Sequence, residues 1–264
     1  MAETIDIGTG SLLIMYALLL LPFSLCRLLG IAVLRDLALA VARMSIQLLL
    51  VGVYLEVIFR INSILLNAAW ILAMVIVADL HIIRSTGLRI RRFFLPLLLG
   101  VGFGTLAIAL FFVLLVIQPR PLYDARYLIP ITGMVLGNCL RANVICLERF
   151  FSGLRQQETT YVNRLLMGAT RYEALRPHLR DAIRAALAPT IATMATLGLV
   201  SLPGMMTGQI LGGSVPLVAI KYQIGIMIAI FIATALTALL NIRLSISSAF
   251  TPYHILDRTI FTRP

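Results

Sequence analysis

Long apolar runs broken by short arginine-bearing joints organise the whole chain. Seven stand out: Ser11–Cys26, Leu37–Phe59, Ile64–Ile83, Phe93–Ile117, Leu128–Leu147, Ala185–Leu202 and Tyr222–Ile242. Most approach the roughly 20 residues that one helical crossing of a ~30 Å hydrocarbon core requires. Within each run the apolar residues are continuous and do not alternate, which predicts helices and disfavours a membrane β-barrel with its period of two. The pattern predicts an all-α integral membrane protein of about seven transmembrane helices in one domain spanning residues 1–264.

Composition agrees, because 60% hydrophobic and 12% charged residues leave too little polar surface to cover a soluble domain of 264 residues. The basic residues then set an orientation, since short cytoplasmic loops collect arginine and lysine. Sixteen fall on one side, in 27–36, 84–92, 148–184 and the C-terminal tail, whereas the other side holds Arg60, Arg120, Arg126 and Lys221. The N-terminus is therefore expected outside and the C-terminus inside, in a multi-pass protein of the cytoplasmic (inner) membrane. This topology also accounts for a pI near 10.4, so no nucleic-acid partner is expected. The first run follows Glu3 and Asp6, with no basic leader and no small-residue cleavage site, and reads as a retained span. Cys26, Cys139 and Cys146 lie in or beside spans and read as small buried hydrophobes, with no disulfide framework.

One sizeable polar element interrupts the runs, the cytoplasmic loop 148–184 with its seven arginines. Gly168 is a natural helix stop, and Thr170 followed by Glu173 fits a capping box that starts a helix at Arg171. Pro177 is expected to end that helix after about two turns, with a further helix beginning there and leading into the sixth span. A stub of that length is not stable alone, so it should pack on neighbouring loops or on another protein.

Beyond the sixth span, residues 203–221 open with Pro203-Gly204 and the pair Met205 and Met206, and carry Gly208, Gly212, Gly213 and Pro216. So apolar a segment is expected either to dip back as a re-entrant loop or to lie along the outer interface with Lys221 snorkelling outward. Thioethers favour soft ions over iron, and packing is the plainer role for the two methionines. Asp79 and His81 are harder donors, expected near the cytoplasmic end of the third span, facing water or paired with Arg84. Inside the second span, Arg43 and Glu56 lie about 20 Å apart and cannot pair. Arg43 with Gln47 should face the bundle interior, holding an anionic or chelated cargo or bracing another span. Asn138 follows Gly133 and Gly137, and Gly100 and Gly104 repeat that spacing, which lets helices approach closely.

Several stretches together resemble one family. They are the "MGAT" turn at 167–170, "RDAIRAALAPT" at 180–190, "GLVSLPGMMTGQI" at 198–210, "AIKYQI" at 219–224, "IPITGMVLGN" at 129–138, and the set Arg43, Gln47, Leu48 and Gly52. In order along most of the chain, these are similar to the FetB-type permeases, half-transporters linked to iron export, with plant relatives linked to aluminium tolerance. Arg141 and the C-terminal tail depart from the pattern. The resemblance implies an ABC-transporter permease whose cytoplasmic coupling helix, at Gly168, Ala169, Thr170, Arg171 and Glu173, engages a separate ATP-binding subunit, with loop 84–92 as a second contact or a lipid anchor. It also implies a homodimer of permeases with the pore on the two-fold axis, and a cargo path for which Arg43, Gln47, Asn138, Met205 and Met206 are candidates.

The sequence carries no G-x4-G-K-[ST] loop to cradle phosphates and only one lysine, so no cofactor is expected on this chain, and ATP and Mg belong to the partner subunit. An intramembrane enzyme should show clustered His, Asp or Ser, yet His81, His178 and His254 stand apart. No catalytic residue is assigned. The expected function is export of iron or another metal, free or chelated. An ABC permease for an organic or anionic solute, such as a sugar nucleotide or lipid, is the alternative that Arg43 and Arg141 would suit.

Overall fold

The computed structural model describes residues 8–31, 34–251 and 253–262. Glu3, Asp6 and Arg263 lie outside them. Ten α-helices are described: α1 (Thr9–Leu18), α2 (Leu20–Leu28), α3 (Leu34–Ile61), α4 (Ile64–Ser85), α5 (Ile90–Phe111), α6 (Ala125–Gln156), α7 (Glu158–Leu166), α8 (Arg171–Thr196), α9 (Gly204–Leu211) and α10 (Pro216–Ala249). A π turn, Phe112–Ile117, extends α5, and no strand occurs among the described residues. Six spans are long and apolar enough to cross a membrane: α1–α2 together, α3, α4, α5 with its π turn, α6 and α10. The chain is an all-helical, multi-pass membrane protein.

The expected crossing over Ala185–Leu202 takes a different form. Helix α8 starts at Arg171 and stops at Thr196, so its part beyond Arg184 is only twelve residues, about 18 Å of helix. The chain then turns at Gly198, which has φ +87°, and passes through Pro203 into α9. Nor does Pro177 end a stub. It lies inside α8, because Ala174, Leu175, His178, Ala182 and Ala186 form one buried stripe that packs continuously across it.

The core lies between α4, α5, α6 and α10. Helices α5 and α10 approach so closely that a Cβ at Gly100 would come within 2.0 Å of Asn241 Oδ1, and one at Gly104 within 2.6 Å of Thr237 Cγ2. The small-residue spacing read from the sequence thus marks a real crossing. At the other glycine pair the outcome is uneven: Gly133 faces the Met74 methyl at 3.2 Å, while Gly137 has open space. Helices α1 to α3 attach only lightly. The C-terminal part of α3 packs through Ile58, Tyr54 and Phe59 onto Trp70 of α4 and Ala125 and Ile129 of α6. Beside the Arg43 half, α3 meets the first span through a Tyr16–Ser45 hydroxyl contact.

A clasp closes the arginine-rich end. The tail segment around the 3-10 turn Arg258–Ile260 crosses the α4–α5 joint, where Arg89 N donates to Ile260 O at 2.8 Å and Thr262 N to Gly87 O at 2.8 Å. Arg92 pairs with Asp257, Arg258 with Glu158 at 2.6 Å, and Tyr161 Oη donates to the His254 carbonyl at 2.7 Å. Through the tail, loop 84–92 is therefore strapped to α7, and also to α6, where Phe151 and Arg155 pack on Phe261. Hydrogen bonds from Arg92 and then Thr259 hold the Asp257 carboxyl down at about 2, against 3.8 ordinarily. A depressed folded value means that the clasp is fully held above pH 3.8 and loosens as pH falls towards 2. At neutral pH, Asp257→Asn should increase amide exchange and proteolysis over 253–262 and leave exchange in α5 and α6 unchanged.

Candidate functional site: the capped turn and the polar seam

The arginine-rich end protrudes because α6 is long. Its 32 residues cover about 48 Å, some 18 Å more than the hydrocarbon thickness. At that end α7 and α8 meet in a turn fixed from both sides. The Ala169 N–H donates to Arg164 O and the Gly168 N–H to Leu165 O, both at 3.0 Å, and Gly168 takes φ +91°, the left-handed conformation that favours glycine. On the α8 side Thr170 N donates to Glu173 Oε2 at 2.8 Å and Glu173 N to Thr170 Oγ1 at 3.3 Å, completing the capping box. Bonds from the Thr170 hydroxyl and then its backbone N–H draw the Glu173 carboxyl below its usual range.

Between the caps the turn presents apolar side chains outward. Leu166 is 79% and Met167 87% exposed, with Tyr172 beside them. A cup of about 460 Å³ lies alongside, lined by Arg164, Glu173, Arg176 and Asp181. Exposed apolar groups rimmed by charge on a rigid, protruding turn form a surface suited to another protein. Helical periodicity and caps alone did not reveal Leu166 and Met167 as the exposed pair, although their position beside the Gly168 stop was a usable signal.

The candidate cargo residues do not converge within one chain. Asn138 and Arg141 line a crevice of about 90 Å³ between α6 and α8, with Thr190 and Thr193 opposite, and Asn138 Nδ2 donates to Met134 O at 2.8 Å. Met206 is buried, and Met205 packs against the cluster containing Val113, Leu128 and Ile226. Arg43 and Gln47 contradict the interior expectation: both are exposed, because the half of α3 that carries them has no core helix beside it. Among the described residues, no three His, Cys, Asp or Glu side chains come together. Cys139 and Cys146 are buried free thiols, and Cys26 is half-buried.

A polar seam runs through the core that the hydropathy pattern did not reveal. Asn241 Nδ2 donates to Asn143 Oδ1 at 2.6 Å, while Asn143 Nδ2 donates to Thr237 Oγ1 at 2.9 Å and to Cys139 O at 2.7 Å. Thr105, Thr132, Thr234 and Ser245 add buried hydroxyls without a protein partner. Asp79 does not face water or pair with Arg84. It is fully buried in α4 with neither carboxylate oxygen partnered, whereas His81 is exposed. Uncharged polar residues inside the apolar runs were the available signal for the seam. Asn143→Leu should destabilise the protein by about 1–3 kcal/mol, because it leaves the Asn241 amide without its acceptor. Adding Asn241→Leu should recover part of that loss, as read by unfolding in detergent.

Helices of this length and apolarity, a buried polar seam and a capped, exposed turn at one end define a multi-pass helical membrane protein. The chain belongs to the family described as "Uncharacterised protein family (UPF0014)", whose profile matches residues 9–250. A UPF0014 membrane protein of Synechocystis sp. is 39% identical over 201 residues, covering 75% of this chain and 76% of that protein. The "Probable iron export permease protein FetB" of Escherichia coli is 30% identical, covering 83% of each chain. "Protein ALUMINUM SENSITIVE 3" of Arabidopsis thaliana is 31% identical, covering 84% of this chain and 80% of that one. No solved structure matches.

Proposed function

We propose that this chain is the permease subunit of an ATP-driven transporter that exports iron or another metal, free or chelated, powered by a separate ATP-binding chain. The observation that carries the reading is the turn 166–173, capped on both sides, raised beyond the hydrocarbon and exposing Leu166 and Met167. An energy-supplying partner needs such a rigid lever, since this sequence has no phosphate-cradling loop. The arginine bias supports an orientation with this turn and the C-terminus in the cytoplasm and the N-terminus outside. Kinship with a protein named as a probable iron export permease supports the cargo class.

A homodimer follows from the same reasoning. Arg43 and Gln47 stand uncovered partway along α3, where contact with lipid is costly, and a second copy on a two-fold axis would cover them and bring them towards a shared path. Within each copy, Asp79 supplies a hard oxygen donor sealed in the bundle. Asp79→Asn should lower metal transport by at least about tenfold while leaving binding of the ATP-hydrolysing chain unchanged, as read by co-purification and metal efflux. The Asn138–Arg141 crevice favours the second reading, an anionic organic solute.

Co-reconstitution with the ATP-hydrolysing subunit decides between the two. Stimulation of ATP hydrolysis by Fe(II) or a ferric chelate supports metal export. Stimulation by a sugar nucleotide or lipid, with metals inert, replaces it with the anionic reading.

A further inference from the structure

A groove of about 720 Å³ runs between α8 and α10 at the arginine-rich end. Arg171, Arg176 and Arg180 of α8 and Arg243 of α10 line it, and no carboxylate does. Its floor is apolar on both sides. Leu175, Leu179 and Ile183 recur every fourth residue along α8, and Leu236, Leu239 and Leu240 lead to Arg243 on α10, with Ile246 one turn beyond it.

We infer that this groove binds an anionic phospholipid, with its phosphate among the four guanidinium groups and an acyl chain along the leucine stripes. Depth supports the assignment. Arg243 lies 27 residues, about 40 Å of helix, from the start of α10 and six residues from its end, which puts it at the headgroup level of a ~30 Å core. Among the described residues none of the four guanidinium groups is in a salt bridge, the carboxylates of Glu173 and Asp181 lie on the neighbouring cup and not in the groove, and at that depth beside an apolar trough the abundant anion is a lipid phosphate. Arginine stems can cover the apolar wall while their heads reach the phosphate. The lipid would wedge α8, whose N-terminus carries the capped turn, against α10.

The test uses the purified full chain without any ATP-hydrolysing partner, so its failure leaves the transport reading intact. Native mass spectrometry in a neutral detergent is the readout, comparing phosphatidylglycerol with phosphatidylcholine. The wild type should retain phosphatidylglycerol preferentially, and the triple variant Arg176→Gln, Arg180→Gln, Arg243→Gln should bind it at least about tenfold more weakly. The control variant Arg84→Gln, Arg89→Gln, Arg91→Gln, which removes as many charges elsewhere on the same end, should bind as the wild type does. Should the triple variant unfold, Leu239→Trp, which fills the trough and keeps the charge, should lower retention instead. Equal retention of both lipids, or equal loss in the two arginine variants, overturns the proposal. So does full displacement by millimolar inorganic phosphate, which would mark a free-anion site, or a fall from dimer to monomer in the triple variant, which would mark a contact between copies.

Discussion

Leucine in place of Gly100 is expected to prevent the bundle from assembling. A Cβ there meets Asn241 Oδ1 at 2.0 Å and its Cγ at 3.0 Å, with the α10 backbone nitrogen already in van der Waals contact at 3.4 Å, so a Cβ alone displaces the Asn241 side chain and the rest of a leucine meets the α10 backbone behind it. Asn241 is itself fixed by Asn143. Helix α10 would have to move away from α5, and that opens the seam that α6 shares with both. Overpacking a well-filled site costs about 1–3 kcal/mol even where the backbone can yield, and stability totals only about 5–15 kcal/mol. The expected result is loss of monodisperse protein in detergent, with a milder drop in unfolding midpoint for Gly100→Ala. Gly137→Ala supplies the contrast. With nothing within 4 Å of its Cβ, it should be neutral or stabilising by up to about 1 kcal/mol.

Glutamate at both Leu166 and Met167 is expected to uncouple the protein without unfolding it. Both side chains are largely in solvent, so the fold loses little. A partner that buries them loses two apolar contacts and gains two desolvated charges, in a region where single anchor residues are worth 2 kcal/mol or more. Binding of the ATP-hydrolysing chain should weaken at least about thirtyfold, with transport-linked ATP hydrolysis falling in step and the unfolding midpoint unchanged. Thr170→Ala should act more weakly. It removes the cap at a cost of about 1 kcal/mol and frays the start of α8, leaving the apolar pair in place.

How far the sequence disclosed this arrangement depended on whether local chemistry or packing decided each feature. The stop at Gly168 and the start at Arg171 were legible because both rest on contacts between neighbours in sequence. The close approach at Gly100 and Gly104 was legible from spacing. Pro177 misled, because the helix-breaking tendency of a proline is local, whereas the buried stripe from Ala174 to Ala186 that carries α8 through it is tertiary. Length and hydropathy made Ala185–Leu202 look like one regular helix, yet α8 stops at Thr196 and Gly198 turns the chain early, so the return to the start of α10 is completed by 197–215. Arg43 and Gln47 were placed inside on the cost of charge in lipid, an argument that holds for an assembly and not for one chain. The seam of Asn143, Thr237 and Asn241 joins residues almost a hundred positions apart, so its polar members stood out in the apolar runs but their pairing did not.

The central claim is that this bundle supplies a pathway and takes its power from a second chain at the turn 166–173. Proteoliposomes containing the permease alone, the permease with its ATP-hydrolysing partner, and the Leu166→Glu, Met167→Glu variant with that partner test it most directly, by ATP-dependent movement of iron across the bilayer. Movement in the second preparation alone is the predicted result. Equal movement in the first, or an undiminished rate in the third, would contradict it.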